Sequence, residues 1–283
     1  MKLEDQELRY KNPNTTSDLV IPVSLEAVLT HEQRLSNFNA NCAHDIHWLN
    51  AQSEKPGTAI VCGAAPSLNH NIKEIAESGA CIFACNTGAK VLAAHGVTAD
   101  FQVLLDPQEL VINEFCDTAK THLLASIVDP KLIGMAKTPV LWHPDFPWMW
   151  DALKDSDKEF CYIGGGVSVG TYAVSIAYTM GYRDIKIYGM DSSFINGVTH
   201  ANGWHVDNEG DGRIKVHVEF NGNNYQTTYD MKQQVLVFLR LADLLEQAGC
   251  KIDVIGEGLL PDVWADRKKQ SKMGVAETAP ASA

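Results

Sequence analysis

The chain has 283 residues, 45% hydrophobic and 20% charged, enough for one large domain or two small ones around a substantial core. Its 23 Lys and Arg against 35 Asp and Glu leave a net charge of −12, which argues against general binding along nucleic-acid backbones. That charge does not exclude a nucleotide site, because backbone N–H groups and a metal ion hold phosphates without many basic side chains.

Met1 to Lys11 is charged and lacks the apolar core of a secretory signal, and no stretch approaches the ~20 apolar residues of a membrane helix. A cytoplasmic protein is therefore expected. The seven cysteines are odd in number, irregularly spaced and without a C-x-x-C pair, as expected of reduced, mostly buried thiols.

In chain order, Asn12 to Asp18 is polar and turn-rich, and the run Ser24-Leu-Glu-Ala-Val-Leu reads as a capped helix start. A second helix is expected from His31 to Gln52, with Leu35, Phe38, Ile46 and Leu49 on its apolar face. Residues 1–55 are thus read as a helical N-terminal arm.

From residue 56 the pattern changes. Thr58 to Cys62, Cys81 to Cys85, Phe101 to Leu105, Leu123 to Val128, Pro139 to Trp142 and Ile185 to Tyr188 are short, nearly continuous apolar runs, the mark of strands buried on both faces. Helical patterns lie between them at Asn71 to Ser78, Thr87 to His95 and Ser168 to Met180. The expected fold class is α/β, a Rossmann-like, mainly parallel sheet spanning residues 56–265. Arg213 to Tyr229 alternates apolar and polar residues around Asn221-Gly222-Asn223, a β-hairpin inserted after the strand that ends at Asp191. Asp230 to Ala248 reads as a long helix with Asp230 as its N-cap and Gly249 as its stop, and Lys251 to Ile255 as a last strand. The Lys-, Ser- and Ala-rich end, residues 266–283, is expected to be disordered.

Five segments carry candidate chemistry, and each follows a strand. Gly63-Ala64-Ala65-Pro66-Ser67 is either a turn that lets a ligand approach the backbone or an ordinary strand-to-helix turn; it is neither a Walker A loop nor G-x-G-x-x-G. Asn86 offers hydrogen bonds to a base or ribose, or caps a helix. Asp106, before Pro107, holds a metal ion or a substrate hydroxyl, or starts a turn. Gly164-Gly165-Gly166 and Ser168 open an apolar helix whose free N–H groups and dipole favour an anion, unless Ser168 is only the cap. Asp191 ends a strand, and His200 and His205 follow in a loop placed for acid–base work near neutral pH, although their spacing fits no standard zinc pattern. In a parallel sheet these strand ends share one edge, so the five segments should meet in one crevice.

The ordered set Gly63-Ala-Ala-Pro-Ser-Leu68, Asn86, Asp106-Pro107, Gly164-Gly-Gly-Val-Ser-Val169, Ile185-Lys-Ile-Tyr-Gly-Met-Asp191 and Thr199-His-Ala201 resembles the MptE-like family. That family includes archaeal 6-hydroxymethylpterin diphosphokinases and the central domain of Maf flagellin glycosyltransferases, and is similar in motifs to bacterial CMP-sialic-acid-dependent sialyltransferases. The resemblance implies that Gly63, Pro66, Ser67 and Asn86 form the nucleotide-binding turn and its neighbour. It also implies that Ser168 contacts the donor, Asp191 closes the site and His200 serves as the family's histidine. Ala65 and Met190 depart from its pattern, where glycine and glutamine are usual.

The resulting expectation is a nucleotide-dependent transferase, foremost a glycosyltransferase using a CMP- or UDP-linked sugar on an unknown acceptor. Gly63, Ala64, Ala65, Pro66, Ser67, Asn86, Gly165, Gly166 and Ser168 bind the nucleotide; Asp106, Asp191, His200 and His205 carry the chemistry. The alternatives are ATP-dependent diphosphoryl transfer to a hydroxymethyl group, with Asp106 and Asp191 on Mg2+, and a non-catalytic nucleotide-binding or assembly protein. The arm packs on a partner subunit or on its own sheet.

Overall fold

The computed structural model describes residues 6–11, 18–23, 29–201 and 215–277, with side chains over 29–201 and 215–270. Strands β1 (Gln6–Lys11) and β2 (Asp18–Val23) pair antiparallel, Leu8 opposite Ile21 and Tyr10 opposite Leu19. This corrects the expectation of a wholly helical arm: Leu8 and Tyr10, then Leu19, Ile21 and Val23, recur with a strand's period of two. The helix start read at Ser24 falls on residues 24–28, outside the described residues.

Helix α1 (His31–Cys42) opens with a capping box, the Gln33 N–H donating to Thr30 Oγ1 and the Thr30 N–H to Gln33 Oε1. Leu35 and Phe38 lie on its core side as expected. The helix stops at Cys42, well short of Gln52, because the chain gains more by joining the sheet: β3 (His47–Trp48) pairs with the sheet edge, and the Leu49 N–H donates to the Leu141 carbonyl at 2.6 Å.

Then follow β4 (Thr58–Cys62), α2 (Leu68–Glu77), β5 (Cys81–Cys85), α3 (Gly88–Ala94), β6 (Phe101–Leu104), a 3-10 segment (Glu109–Glu114) and β7 (Thr121–Ala125). The chain continues through α4 (Lys131–Met135), β8 (Pro139–Pro144), α5 (Pro147–Leu153), β9 (Tyr162–Ile163), α6 (Val169–Thr179) and β10 (Asp184–Tyr188). The hairpin is β11 (Lys215–Phe220) and β12 (Asn223–Thr228), and α7 (Tyr229–Gln247), β13 (Lys251–Ile255) and α8 (Leu259–Glu277) complete the described chain.

Nine strands form one parallel sheet in the order β13-β10-β4-β5-β6-β7-β8, with β3 and β9 both on the outer side of β8. The fold is α/β and Rossmann-like. In β4, Ala59 and Val61 join the core on one face, while Ile60 and Cys62 join the smaller core beneath α2 and α3. Helix α6 is buried from Gly170 to Thr179, which explains why its sequence is apolar nearly all round. The hairpin turn sets Asn221 at φ 49° and Gly222 at φ 78°, the paired positive angles of a tight type I′ connection.

Two further corrections concern the C-terminal helices. The cap of α7 is Thr228, whose hydroxyl accepts the Met231 N–H, so Asp230 falls within the first turn. The segment expected to be disordered is helical to Glu277, and residues 278–283 lie outside the described residues. Composition misled here because α8 is anchored by few residues. Trp264 is 1% exposed, and Arg267 and Lys268 bond to Asp243 and Glu246 of α7 while lying over the Trp264 ring.

All seven cysteines are free. Burial pushes the Cys85 thiol up to about 12 and the Cys161 thiol to about 11, as fits structural rather than reactive residues. Among the described residues no helix is long and apolar enough to cross a membrane.

Candidate functional site

Strand β4 is where the chain turns from one half of the sheet to the other. β5 lies on one side of it and β10 on the other, so the loops leaving β4 and β10 diverge and open a crevice at their carboxyl ends. Two backbone bonds fix that point: the Gly63 N–H donates to the Tyr188 carbonyl at 2.8 Å, and the Ala65 N–H to Gly189 at 3.0 Å. A Cβ on Gly63 would stand 2.1 Å from the Gly189 carbonyl oxygen, so only glycine permits the contact.

Behind this floor Ser67 meets Asp191. Both are fully buried, and the Asp191 carboxylate accepts the Ser67 N–H at 3.0 Å through one oxygen and the Ser67 hydroxyl through the other. The loop after β13 seals the pair: a Cβ on Gly256 would lie 2.5 Å from Ser67 Oγ, and one on Gly258 2.6 Å from the Asp191 carbonyl oxygen. Burial raises the Asp191 pKa to about 6, against the lowering effect of both Ser67 hydrogen bonds; Glu257 raises it further and His70 lowers it.

The crevice is lined on one side by Gly63, Ala64, Ala65 and Asn86, and on another by residues 167–170 at the start of α6. Met190 to Ser193, Thr199, His200 and the first turns of α7 close it. The rim loop is pinned to the floor, with the Ala201 N–H on the Ala64 carbonyl at 2.8 Å and Asn69 Nδ2 on the Ala201 carbonyl at 3.0 Å. His200 lines the crevice, with its Nδ1 2.9 Å from Thr199 Oγ1.

Ser168 caps α6 and also lines the crevice. Its Oγ accepts the Thr171 N–H at 3.3 Å and Gln234 Nε2–H at 2.7 Å. The Thr171 hydroxyl donates to the Ser168 carbonyl, so the Ser168 proton goes to Thr171 Oγ1. The chain of bonds continues through Gln234, whose Oε1 accepts from Ser192 Oγ at 2.7 Å.

The structure thus brings together Gly63, Ala64, Ala65, Asn86, Ser168, Asp191 and His200 around one crevice. Others fall elsewhere. Gly165 and Gly166 do not line it; their missing side chains make room for Tyr172 and Val237, where a Cβ would meet atoms at 2.4 Å in each case. Pro66 and Ser67 lie behind the floor. Asp106 stands beyond Asn86, next to Glu114. It is open to solvent by area, yet protein surrounds its carboxyl densely enough to raise the pKa, and burial together with the Asp106 charge raises Glu114 to about 7. Of the two carboxylates, Asp191 lines the crevice and Asp106 does not; among the described residues no three His, Cys, Asp or Glu side chains gather to hold an ion. His205 lies outside the described residues. The wall of α7, with Asp230, Met231 and Gln234, escaped the sequence reading, because nothing local announces that residues 66 positions apart, Ser168 and Gln234, share a hydrogen bond.

A parallel α/β sheet with a crevice at its switch point, lined by glycines and the start of a helix, places a ligand site where open α/β sheets carry one. The chain belongs to the MptE-like family, described as 6-hydroxymethylpterin diphosphokinase MptE-like, which matches residues 32–197. No curated protein matches it. Among solved structures it is similar to the Maf glycosyltransferase from Magnetospirillum magneticum AMB-1, at 17% identity and a TM-score of 0.65 over 81% of this chain and 36% of that one. The chain thus spans about a third of that protein's length, and the likeness is one of fold. A second similar structure is the sialyltransferase CstII from Campylobacter jejuni, solved with a substrate analogue, cytidine-5'-monophosphate, at 14% identity and a TM-score of 0.36 over 74% of this chain and 87% of that one.

Proposed function

We propose that the protein is a nucleotide-dependent transferase and that its crevice holds a nucleotide-activated sugar. The observation that carries this reading is the convergence of the Gly63–Ala65 turn, Asn86 and the N-terminus of the eleven-residue α6 on one crevice at the switch point. The phosphate lies against the Ala64 N–H of the turn and the N–H groups of Val169 and Gly170, where the helix dipole favours negative charge. Asn86 serves the base or ribose. The acceptor hydroxyl attacks the anomeric carbon, its proton passes to His200, and the bond from that carbon to the phosphate oxygen breaks with the electron pair leaving on phosphate. Positioning and charge stabilisation supply most of the rate. Ser67 and Asp191 act by fixing the floor rather than by touching the reacting atoms. The membership of the family and the fold of the Maf enzyme support this reading.

One observation favours the diphosphokinase alternative. Burial raises the pKa values of Asp106 and Glu114, the Asp106 charge raises Glu114 further, and Mg2+ bound beside a triphosphate would offset that charge. A thermal-shift panel of CMP, UDP, GDP and ATP, with and without Mg2+, separates the two. A nucleotide present at 100 times its Kd should add about 2.7 kcal/mol of stability, a rise of roughly 5–10 °C. Metal-independent stabilisation by CMP or UDP supports the sugar transferase; stabilisation by ATP only with Mg2+ supports the diphosphokinase; none from any nucleotide overturns both.

A further inference from the structure

Among the described residues, Gln102 is one of three buried polar side chains on the strands of the parallel sheet, with His122 and His143. It lies on β6 and is wholly buried. Its amide is spent on three backbone groups. Nε2 donates to the Asn86 carbonyl at 2.9 Å and to the Glu114 carbonyl at 2.8 Å, and Oε1 accepts the Cys116 N–H at 2.9 Å. Two carbonyls and one N–H admit only this orientation of the amide.

Asn86, which Gln102 grips, is the first residue beyond β5 and lines the crevice. Its φ is 47°, in the left-handed region that asparagine tolerates at a cost. The Asn86 N–H donates to the Val103 carbonyl at 3.1 Å, and its carbonyl also accepts the Ala89 N–H at 3.4 Å, a long contact that fixes little. Its side-chain Oδ1 is buried with no hydrogen-bond partner. The residue is therefore held in an uncommon backbone conformation, in the crevice wall, with an acceptor left over.

We propose that Gln102 is a positioning residue that holds Asn86 in its left-handed conformation, so that the Asn86 amide is presented to a ligand in the crevice. The ligand part rests on the nucleotide-transferase reading; the positioning part stands by itself. Gln102 touches no ligand. It replaces the chain's own tendency to relax with two donated hydrogen bonds that also tie the end of β5 to the 3-10 segment after β6.

The test uses the full chain with Gln102→Met, which keeps the volume and removes the donors, and with Asn86→Gly, which accepts the positive φ and removes the amide. Backbone chemical shifts of Asn86 in asparagine-labelled protein report its conformation, and titrations with CMP, UDP and ATP–Mg2+ report binding. In Gln102→Met, Asn86 should leave the left-handed region and the nucleotide that binds the wild type should bind about tenfold more weakly, the loss of one good hydrogen bond. In an Asn86→Gly background the same substitution should change affinity by less than about twofold, because the group it positions is already gone. A loss of similar size in both backgrounds, or a left-handed Asn86 in Gln102→Met, overturns the proposal. If Gln102→Met fails to fold, Gln102→Glu, which keeps the shape and the bond from Cys116, must show the same two effects. A wild type that binds none of the three nucleotides overturns the ligand part together with the reading beneath it, and the Asn86 shifts still decide the positioning part.

Discussion

Gly63→Ala is expected to destabilise the protein by about 3 kcal/mol or more and to abolish nucleotide binding. The added methyl would sit 2.1 Å from the Gly189 carbonyl oxygen and 3.0 Å from the Met190 side chain. A rotamer change can move Met190, but the carbonyl belongs to the backbone, so either β4 and β10 part at their ends or the turn unwinds. Both responses break the Gly63-to-Tyr188 and Ala65-to-Gly189 hydrogen bonds that make the crevice floor. Gly134→Ala is the control: it lies in α4 with nothing within 4 Å of its Cβ position, and alanine there should be neutral or slightly stabilising. Urea melts of the two variants measure the contrast; equal stabilities would mean that the strand ends do not approach as described.

Asp191 yields the second large effect, and its sign is opposite to that of most carboxylates. Its folded pKa, about 6, lies above the ordinary value of 3.8. The folded state therefore binds the proton more tightly than the unfolded one. The stabilisation is fully present below pH 3.8 and is lost as the pH rises to about 6, by on the order of 3 kcal/mol for a shift of about two pH units. Asp191→Asn removes that titration and keeps an acceptor for the Ser67 N–H. Wild type and variant should thus differ most between acid and neutral pH, the wild type falling relative to the variant across this window. Asp191→Ala should be less stable than Asp191→Asn at every pH, because a buried N–H and hydroxyl of Ser67 are left unpaired, at about 1–3 kcal/mol each. Parallel stability curves for wild type and Asp191→Asn would show that the carboxylate is not desolvated as the structure has it.

Much of the sheet was legible because strands buried on both faces write themselves as apolar runs. Thr58–Cys62 and Cys81–Cys85 have the bounds read from the sequence, as does the edge strand Lys251–Ile255, whose buried and exposed residues alternate. The hairpin was legible from alternation and from Asn221-Gly222, whose positive φ angles few other residue pairs adopt. The reading failed where long-range contacts decide. Ile46 and Leu49 continue a helical spacing, yet the open edge of β8 draws the chain into β3. The lysines and alanines after residue 266 look like a tail, yet Trp264 and the charges of α7 hold them in a helix.

The site divides in the same way. That strand ends meet at one edge follows from parallel pairing, so the Gly63 turn, Asn86, the start of α6 and His200 could be foreseen as neighbours. Which atoms face a ligand could not. The glycines at 165 and 166 looked like a phosphate loop and instead admit Tyr172 and Val237. Nothing local to Asp191 announces that it bonds Ser67, 124 residues away. Asp106 looked like part of the crevice and instead faces Glu114.

A crystal structure of the protein soaked with CMP tests the central claim most directly. The phosphate is expected against the backbone N–H groups of Ala64, Val169 and Gly170, with the base or ribose within hydrogen-bonding distance of Asn86. A nucleotide seated away from this crevice, or a crevice left empty while the nucleotide binds in solution, would contradict it.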